Sequence, residues 1–347
     1  MRPDNVIPLI TPLREVMAFT DCRDKSRIVA GKRLTGLCAV GGRRYLALTS
    51  PGDLPVKLRS IETWLRRARV KTFKALGSTR RGRKLLLDFL PANVSEVTVE
   101  CGDHRITVSP HEMIGRHVVA TGGFTRDSVR HVLDELDRRR LLPQKGGCAL
   151  EVGANIGTHT LYLALTGRFD RIVAVEPDPR NLRFLRRNVD DNGFGHLVRI
   201  MECAAGEAEA ELRLHRIEGN FGNSSFVHAR PTDSGVVVPV RPVDAILRDA
   251  GIAADEVSLV WMDIEGFEPQ AFRSMGPLLA RQVPVYLEFS PEFYGRDGTA
   301  AFVRFIGQYY NECIVTTREG QQTIAVGQLA GQMRQCDVLL LPDAAAG

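Results

Sequence analysis

The most constraining feature of the chain is the stretch E151-V-G-A-N-I-G157, which follows the short apolar run CALEV (148–152) and leads into a helix-like segment around 157–166. A buried strand, a glycine turn and a helix in this order define the first half of a nucleoside-binding unit. Glycine lets the backbone turn tightly and come close to a ligand, and the helix N-terminus that follows offers free amides. A second strand, RIVAVEP (171–177), carries Glu176 near its end, 19 residues after Gly157. An acid at that place can accept hydrogen bonds from both hydroxyls of a ribose. A dinucleotide site asks for G-x-G-x-x-G. This chain has G-x-x-x-G with Ala154 inside it, and Glu151 just before the turn would repel a diphosphate. An acid there suits a ligand bearing an amino group and a sulfonium, so the pattern favours S-adenosyl-L-methionine over NAD.

The rest of the chain agrees with an α/β reading. After Gly146-Gly147, strands and helices alternate: a helix over 178–191, a strand LVRIMECA (197–204), then VSLVWMD (257–263) and VPVYLEF (283–289) with a helix from about 267 to 280 between them. ECIVTT (312–317) and CDVLLLP (336–342) can close the sheet. Such alternation implies a doubly wound, mostly parallel sheet. Between 208 and 240 it lapses into two strands, AELRLHR and VVVPVRP, around a Gly/Asn/Ser-rich loop, which reads as an insertion. Upstream, 96–108 alternates around Gly102-Asp103 as a hairpin, and 125–140 reads as a helix with Thr125 or Asp127 as N-cap. Residues 1–56 suggest a few short strands and turns. The division expected is an N-terminal accessory region (1–95), a hairpin and helix leading inward (96–145), a cofactor-binding domain (146–342) and a tail (343–347).

Charge is unevenly spread. The net charge is +5, yet residues 57–84 hold eleven Lys/Arg against Glu62 alone, a local +10 that leaves the remainder at +5 − 10 = −5. Ile61, Trp64, Leu65, Ala68 and Leu76 fall near helical spacing there, so a basic amphipathic helix is expected over 57–84. It can be a solvated face, a contact with an anionic acceptor or membrane surface, or a grip on nucleic acid. No run of eighteen apolar residues occurs, the first residues lack the pattern of a secretory signal, and seven scattered Cys contain no C-x-x-C. A cytoplasmic protein without a disulfide framework or structural zinc site is expected, with peripheral membrane contact through 57–84 as the alternative.

Over residues 96–289 the chain resembles the FkbM family of S-adenosylmethionine-dependent methyltransferases. The matching strings are LEVGANIGTHTLYLA (150–164), VAVEPDPRNLRFLRRN (173–188), GNFGNSSF (219–226), VRPVDAIL (240–247), MDIEGFE (262–268) and YLEFSPE (286–292). Met262 stands where the family often has Lys. The resemblance implies a class I, Rossmann-like fold with a seven-stranded sheet whose last strand is antiparallel. It places Glu151, Gly153, Ala154, Asn155, Gly157 and Thr158 at the methionine end of the cofactor and Glu176 with Pro177 at the ribose. Cys203, Ala204 and Ala205 would lie near the adenine, and Asp263 where methyl meets acceptor.

Methyl transfer to an alcohol needs alignment and removal of a proton. Candidates for the base are Asp263, Glu265, Glu288 and His159. Asp263 and Glu265 flank Ile264, so on an extended backbone both would point the same way. Such a pair can act as base or hold a divalent metal, and Glu265 can equally cap the turn that follows. His159 can instead be satisfied within its helix. Asn220, Asn223, Ser224 and Ser225 suit a hydroxylated acceptor, or simply make a turn. His215 and His228 flank that loop and read as surface residues. The expected activity is O-methylation of a glycan, glycolipid or secondary metabolite. A nucleic-acid methyltransferase and a non-catalytic scaffold of the same fold are the alternatives. Against nucleic acid, the chain lacks the D-P-P-Y-type and P-C motifs of enzymes that methylate bases.

Overall fold

The computed structural model describes residues 33–40, 43–49, 56–217, 219–227, 234–317 and 319–343. The chain forms two compact units, Met1–Gly77 and Ser78–Gly347.

In the first unit, β1 (Arg33–Val40) and β2 (Arg43–Thr49) pair antiparallel, and a 22-residue helix follows, α1 (Val56–Gly77). The single helix expected over 57–84 is in fact two. The second, α2 (Arg80–Leu87), opens the second unit, with Thr79 as its N-cap accepting from the Gly82 amide at 3.0 Å. Ser78 and Thr79 interrupt the helix because a hydroxyl that caps a new N-terminus competes with continuing the old helix.

The second unit begins, after α2, with a hairpin of β3 (Val97–Glu100) and β4 (Arg105–Val108), turning at Gly102 with φ +92°. Next come α3 (Met113–Thr121) and α4 (Arg126–Arg138). The alternating part is β5 (Cys148–Val152), α5 (Thr158–Leu165), β6 (Arg171–Val175), α6 (Pro179–Asp191) and β7 (Val198–Met201). After the insertion come β11 (Val257–Met262), β12 (Val285–Phe289), β13 (Glu312–Thr317), β14 (Gly320–Ala325) and β15 (Cys336–Leu341). The sheet order is β14-β13-β15-β12-β11-β5-β6-β7. Strands β7, β6, β5, β11 and β12 are mutually parallel, and β15 runs antiparallel to both its neighbours.

The sheet therefore has eight strands, not seven. The strand missed in the sequence, β14, is a polar edge strand (GQQTIA) whose side chains are mostly exposed, so it carries no apolar alternation to detect. The helix expected over 267–280 is also two short ones, α8 (Glu268–Phe272) and α9 (Gly276–Ala280). Pro277 cannot donate to a preceding turn, and Ser274 bonds back to the Ala271 carbonyl at 2.9 Å.

Period-two alternation sends the central strands into two cores. Leu150, Val260, Met262, Leu287 and Leu340 pack on one face, and Ala149, Leu259, Trp261, Tyr286 and Leu339 on the other. A third core joins β4 to the helices through Ile106, Val108, Ile156, Leu161 and Phe184. The insertion makes its own sheet of β8 (Ala204–Gly206), β10 (Ser234–Pro242) and β9 (Ala210–Arg216), and α7 (Val243–Ala250) returns the chain to β11. All strands that end beside Glu176, Gly153, Asp263 and Glu288 are adjacent and parallel, so their C-terminal ends open on one crevice.

Candidate active site

A cavity of about 300 Å3 lies at those strand ends. Its wall takes Asn155 and Thr158 from the turn after β5, Glu176 and Pro177 after β6, Cys203, Ala204 and Ala205 before and within β8, Asp263 and Glu265 after β11, and Glu288 from β12. Gly153 and His159 line it as well. Across the sheet the order β6, β5, β11, β12 covers three strand spacings, roughly 14 Å. Glu176 therefore stands toward one side and the three acids toward the other.

Both glycines of the turn are required by packing, whatever Gly153 does in the cavity wall. Gly153 has φ +91°, and a Cβ there would lie 1.9 Å from the Asp263 carbonyl oxygen. Gly157, also at +91°, would drive a Cβ to 2.8 Å from Leu185 Cδ1. The first contact is strand tip on strand tip, the second helix on helix. Gly157 and Ala154 are buried outside the cavity wall.

Glu151 likewise departs from its expected place. It is fully buried outside the wall, accepts from the Thr160 hydroxyl at 2.5 Å, and leaves Oε1 with no partner. Burial pushes its carboxyl up to about 8. Glu176 does face the cavity, but its oxygens accept from the amides of Asn155 and Asp178, both at 2.8 Å, and from Asn181 Nδ2 at 3.3 Å. Burial raises it to about 7. Asn155, in the wall, keeps a buried Oδ1 with no partner. A nucleoside ligand rich in hydroxyl and amino donors fits this acceptor-lined end.

At the other side, Asp263, Glu265 and Glu288 each offer an oxygen within 4.8 Å of the others. The extended geometry expected for 263–265 is not what joins them. Glu265 has φ +50° and Gly266 φ +97°, so the chain leaves the strand in a left-handed turn. Gly266 is required there, since a Cβ would meet Phe293 at 2.7 Å. The residue that caps this turn is Glu268, accepting from the amides of Ile264 (3.1 Å) and Gly266 (3.4 Å), which leaves Glu265 to the cavity. Burial, and then mutual repulsion among the acids, raises all three carboxyls above the usual range. A hydrogen bond with Glu288 offsets part of the rise at Asp263. Glu288 Oε2 is buried and otherwise unpartnered. Three hard oxygens this close together fit a divalent cation as well as a proton.

His159 stacks obliquely on Trp261 (4.8 Å), which in turn stacks on Tyr286 (3.8 Å). Its Nε2 lies 2.6 Å from Thr125 Oγ1, and that hydroxyl is 2.7 Å from the Phe124 carbonyl. The carbonyl only accepts, so satisfying both contacts requires His159 to donate from Nε2 and leaves Nδ1 as the basic nitrogen. Burial drives the imidazole down to about 4, keeping it neutral.

The 219–226 loop forms part of the wall through Phe221, Asn223, Ser224 and Phe226. It is fastened by Met113 N to the Gly219 carbonyl (3.0 Å), by the Arg180 guanidinium over the Phe221 ring (3.8 Å), and by Ser225 Oγ to the Glu265 carbonyl (2.8 Å). Ser225 and Asn220 lie outside the wall; Asn220 caps the turn by accepting from the Gly222 amide at 3.2 Å. His215 pairs through its backbone with Ser225, and His228 falls outside the described residues. The aromatic lining, with Phe124, Phe267 and Phe293, carried no spacing signal in the sequence, because those residues come from separate turns. Among the described residues, no Lys or Arg lines the cavity.

A doubly wound sheet with β15 inserted antiparallel, and a cavity at its parallel strand ends, is the class I, Rossmann-like methyltransferase fold. Residues 151–313 match the model of the methyltransferase FkbM domain. Among solved structures, it is similar to the methyltransferase FkbM from Methylobacillus flagellatus KT (16% identity, TM-score 0.37), covering 65% of this chain and 54% of that one. The chain thus spans about half the length of that protein. It is also similar to the O-methyltransferase TomG from Streptomyces achromogenes, involved in tomaymycin synthesis and solved with SAM (13% identity, TM-score 0.37, 62% and 80% coverage). A third is the O-methyltransferase from Bacillus cereus solved with SAH (11% identity, TM-score 0.34, covering 67% of this chain and 98% of that one). No curated protein matches the chain.

Proposed function

We propose that the protein transfers the methyl group of S-adenosyl-L-methionine to a hydroxyl of an uncharged acceptor, of the glycan, glycolipid or secondary-metabolite class. The observation that carries this reading is the division of one cavity into a nucleoside-accepting side, with Glu176 and Asn155, and a side with three carboxylates bordered by aromatic rings, with no Lys or Arg among the described lining residues. Bound there, the cofactor supplies a methyl carbon activated by positive sulfur. Glu176 holds the ribose, exchanging its present bonds to turn amides for hydroxyl donors. The carboxylate cluster receives the proton of the acceptor hydroxyl as its oxygen bonds to the methyl carbon and the carbon–sulfur bond breaks. A raised carboxyl affinity for protons suits that role. Asp263, Glu265 and Glu288 would also hold a divalent cation, which would acidify the hydroxyl instead. A phosphate-bearing acceptor would meet these carboxylates with no cation among the described lining residues.

The test uses purified protein, cofactor labelled on its methyl, and a cell extract split into lipid, glycan, small-molecule, protein and nucleic-acid fractions. Label is expected in one of the first three and is lost with Asp263→Asn, while S-adenosylhomocysteine binding persists. Label in RNA or DNA, or full turnover by the variant, overturns the reading. Repeating the assay in EDTA and with added Mg2+ separates base from metal: loss and recovery of turnover marks a metal, indifference marks a base.

A further inference from the structure

We infer that α1 (Val56–Gly77) is an interfacial helix that seats the protein on an anionic lipid surface. The helix holds Lys57, Arg59, Arg66, Arg67, Arg69, Lys71 and Lys74 against Glu62 alone, a net charge of 7 − 1 = +6. Most of its apolar residues share one face: Leu58, Ile61, Leu65, Ala68 and Leu76, with Thr72 between the last two, recur at intervals of three and four, the spacing that lays residues along one side of a helix, while Val70 lies off it. Trp64 borders that stripe four residues before Ala68, and Phe73 borders it three residues before Leu76. Trp64 is 66% exposed and Phe73 57%, and Leu65 is exposed beside them.

A large indole and a phenyl ring in water, flanking an aliphatic stripe with cations around the remainder, match what a headgroup–acyl boundary accepts. The rings and the stripe enter the boundary, and the cations meet lipid phosphates. Nucleic acid would satisfy the cations alone and leave Leu65 and the rest of the stripe in water. Charge and apolar pattern together thus choose the lipid. The inference is independent of which acceptor the cavity takes.

Two tryptophans make the test direct, because Trp261 is 1% exposed in the core and only Trp64 can move from water to lipid. The full chain is mixed with phosphatidylcholine vesicles, with and without about a third phosphatidylglycerol, at low and high salt. Expected are co-sedimentation and a blue shift of emission with the anionic vesicles, both diminished by salt. Trp64→Phe removes the shift while retaining binding. Arg66→Glu with Arg67→Glu weakens binding at least roughly tenfold, since each surface cation contributes about a fivefold factor. An unchanged emission with the protein left in the supernatant overturns the inference. So does equal binding to neutral vesicles, undiminished binding by the charge-reversed variant, or binding of an RNA oligomer with none to vesicles. Circular dichroism of each variant excludes loss of fold as the cause.

Discussion

At the scale of single residues, the site depends on acids held where acids are costly. Glu151 is fully buried with one oxygen unpartnered, and its carboxyl is raised to about 8. A carboxyl that titrates higher in the folded state contributes stability that is complete below its unfolded value of about 4.3 and is lost as pH rises toward 8. Glu151→Gln removes that dependence. Thermal melts of the variant should show a flatter pH profile and a higher Tm than wild type at pH about 8, an effect of roughly 1–2 kcal/mol. A parallel loss of stability in both proteins between pH 5 and 8 would show that Glu151 is not the group responsible. Glu176→Ala should weaken S-adenosylhomocysteine binding by about tenfold or more in calorimetry, the scale of hydrogen bonds to a charged group. Unchanged affinity would remove Glu176 from the ribose. Glu176 and Asp263 were both legible, since each follows an unmistakable apolar strand. The burial of Glu151 was not, because a sequence shows which side of a strand a residue takes but not which helix covers that side. Thr160, nine residues on, is what turns Glu151 away from the cavity.

At the scale of elements, the tips of β5 and β11 touch at Gly153. The Asp263 amide donates to the Val152 carbonyl at 2.9 Å, and the Asp263 carbonyl occupies the space a side chain at 153 would need. Gly153→Ala therefore has to displace the strand end that carries the acids, besides straining a φ of +91°. Destabilisation of about 3 kcal/mol is expected, read as a fall in Tm, with turnover lost beyond what the unfolded fraction explains. A variant with unaltered Tm and kcat would show that the tips can separate freely. The glycine turn was read in the sequence as a ligand cradle, and its position was right. Its reason was not visible, because β11 is more than a hundred residues away and only the sheet order brings it alongside β5. The same holds for the paired carboxylates. Strand alternation suggested that 263 and 265 meet, whereas a left-handed Glu265 and a crowded Gly266 bring this about. Short elements governed by hydroxyls and proline, such as the break between α1 and α2 and the division into α8 and α9, needed caps and tertiary bonds to be seen.

At the scale of the molecule, the three hydrophobic cores found among the described residues lie within Ser78–Gly347, and so does the cavity. Expressed alone, Ser78–Gly347 should unfold in one cooperative thermal transition and bind S-adenosylhomocysteine as the full chain does. A broad, non-cooperative melt would show that the first unit completes the fold. No helix among the described residues is long and apolar enough to cross a membrane. The strong local motifs were determined by the sequence itself: strand, turn and helix at 148–165, the acid after β6, the acid after β11, and a basic helix with an apolar stripe. Each depends on neighbours within a few residues, where backbone preference and side-chain period act directly. The tertiary structure alone decided which atoms of those motifs face the cavity, that an eighth strand extends the sheet, and that five aromatic rings from four separate segments line the same cavity as three carboxylates. Those outcomes depend on contacts between residues far apart in the chain, where no local period records the partner.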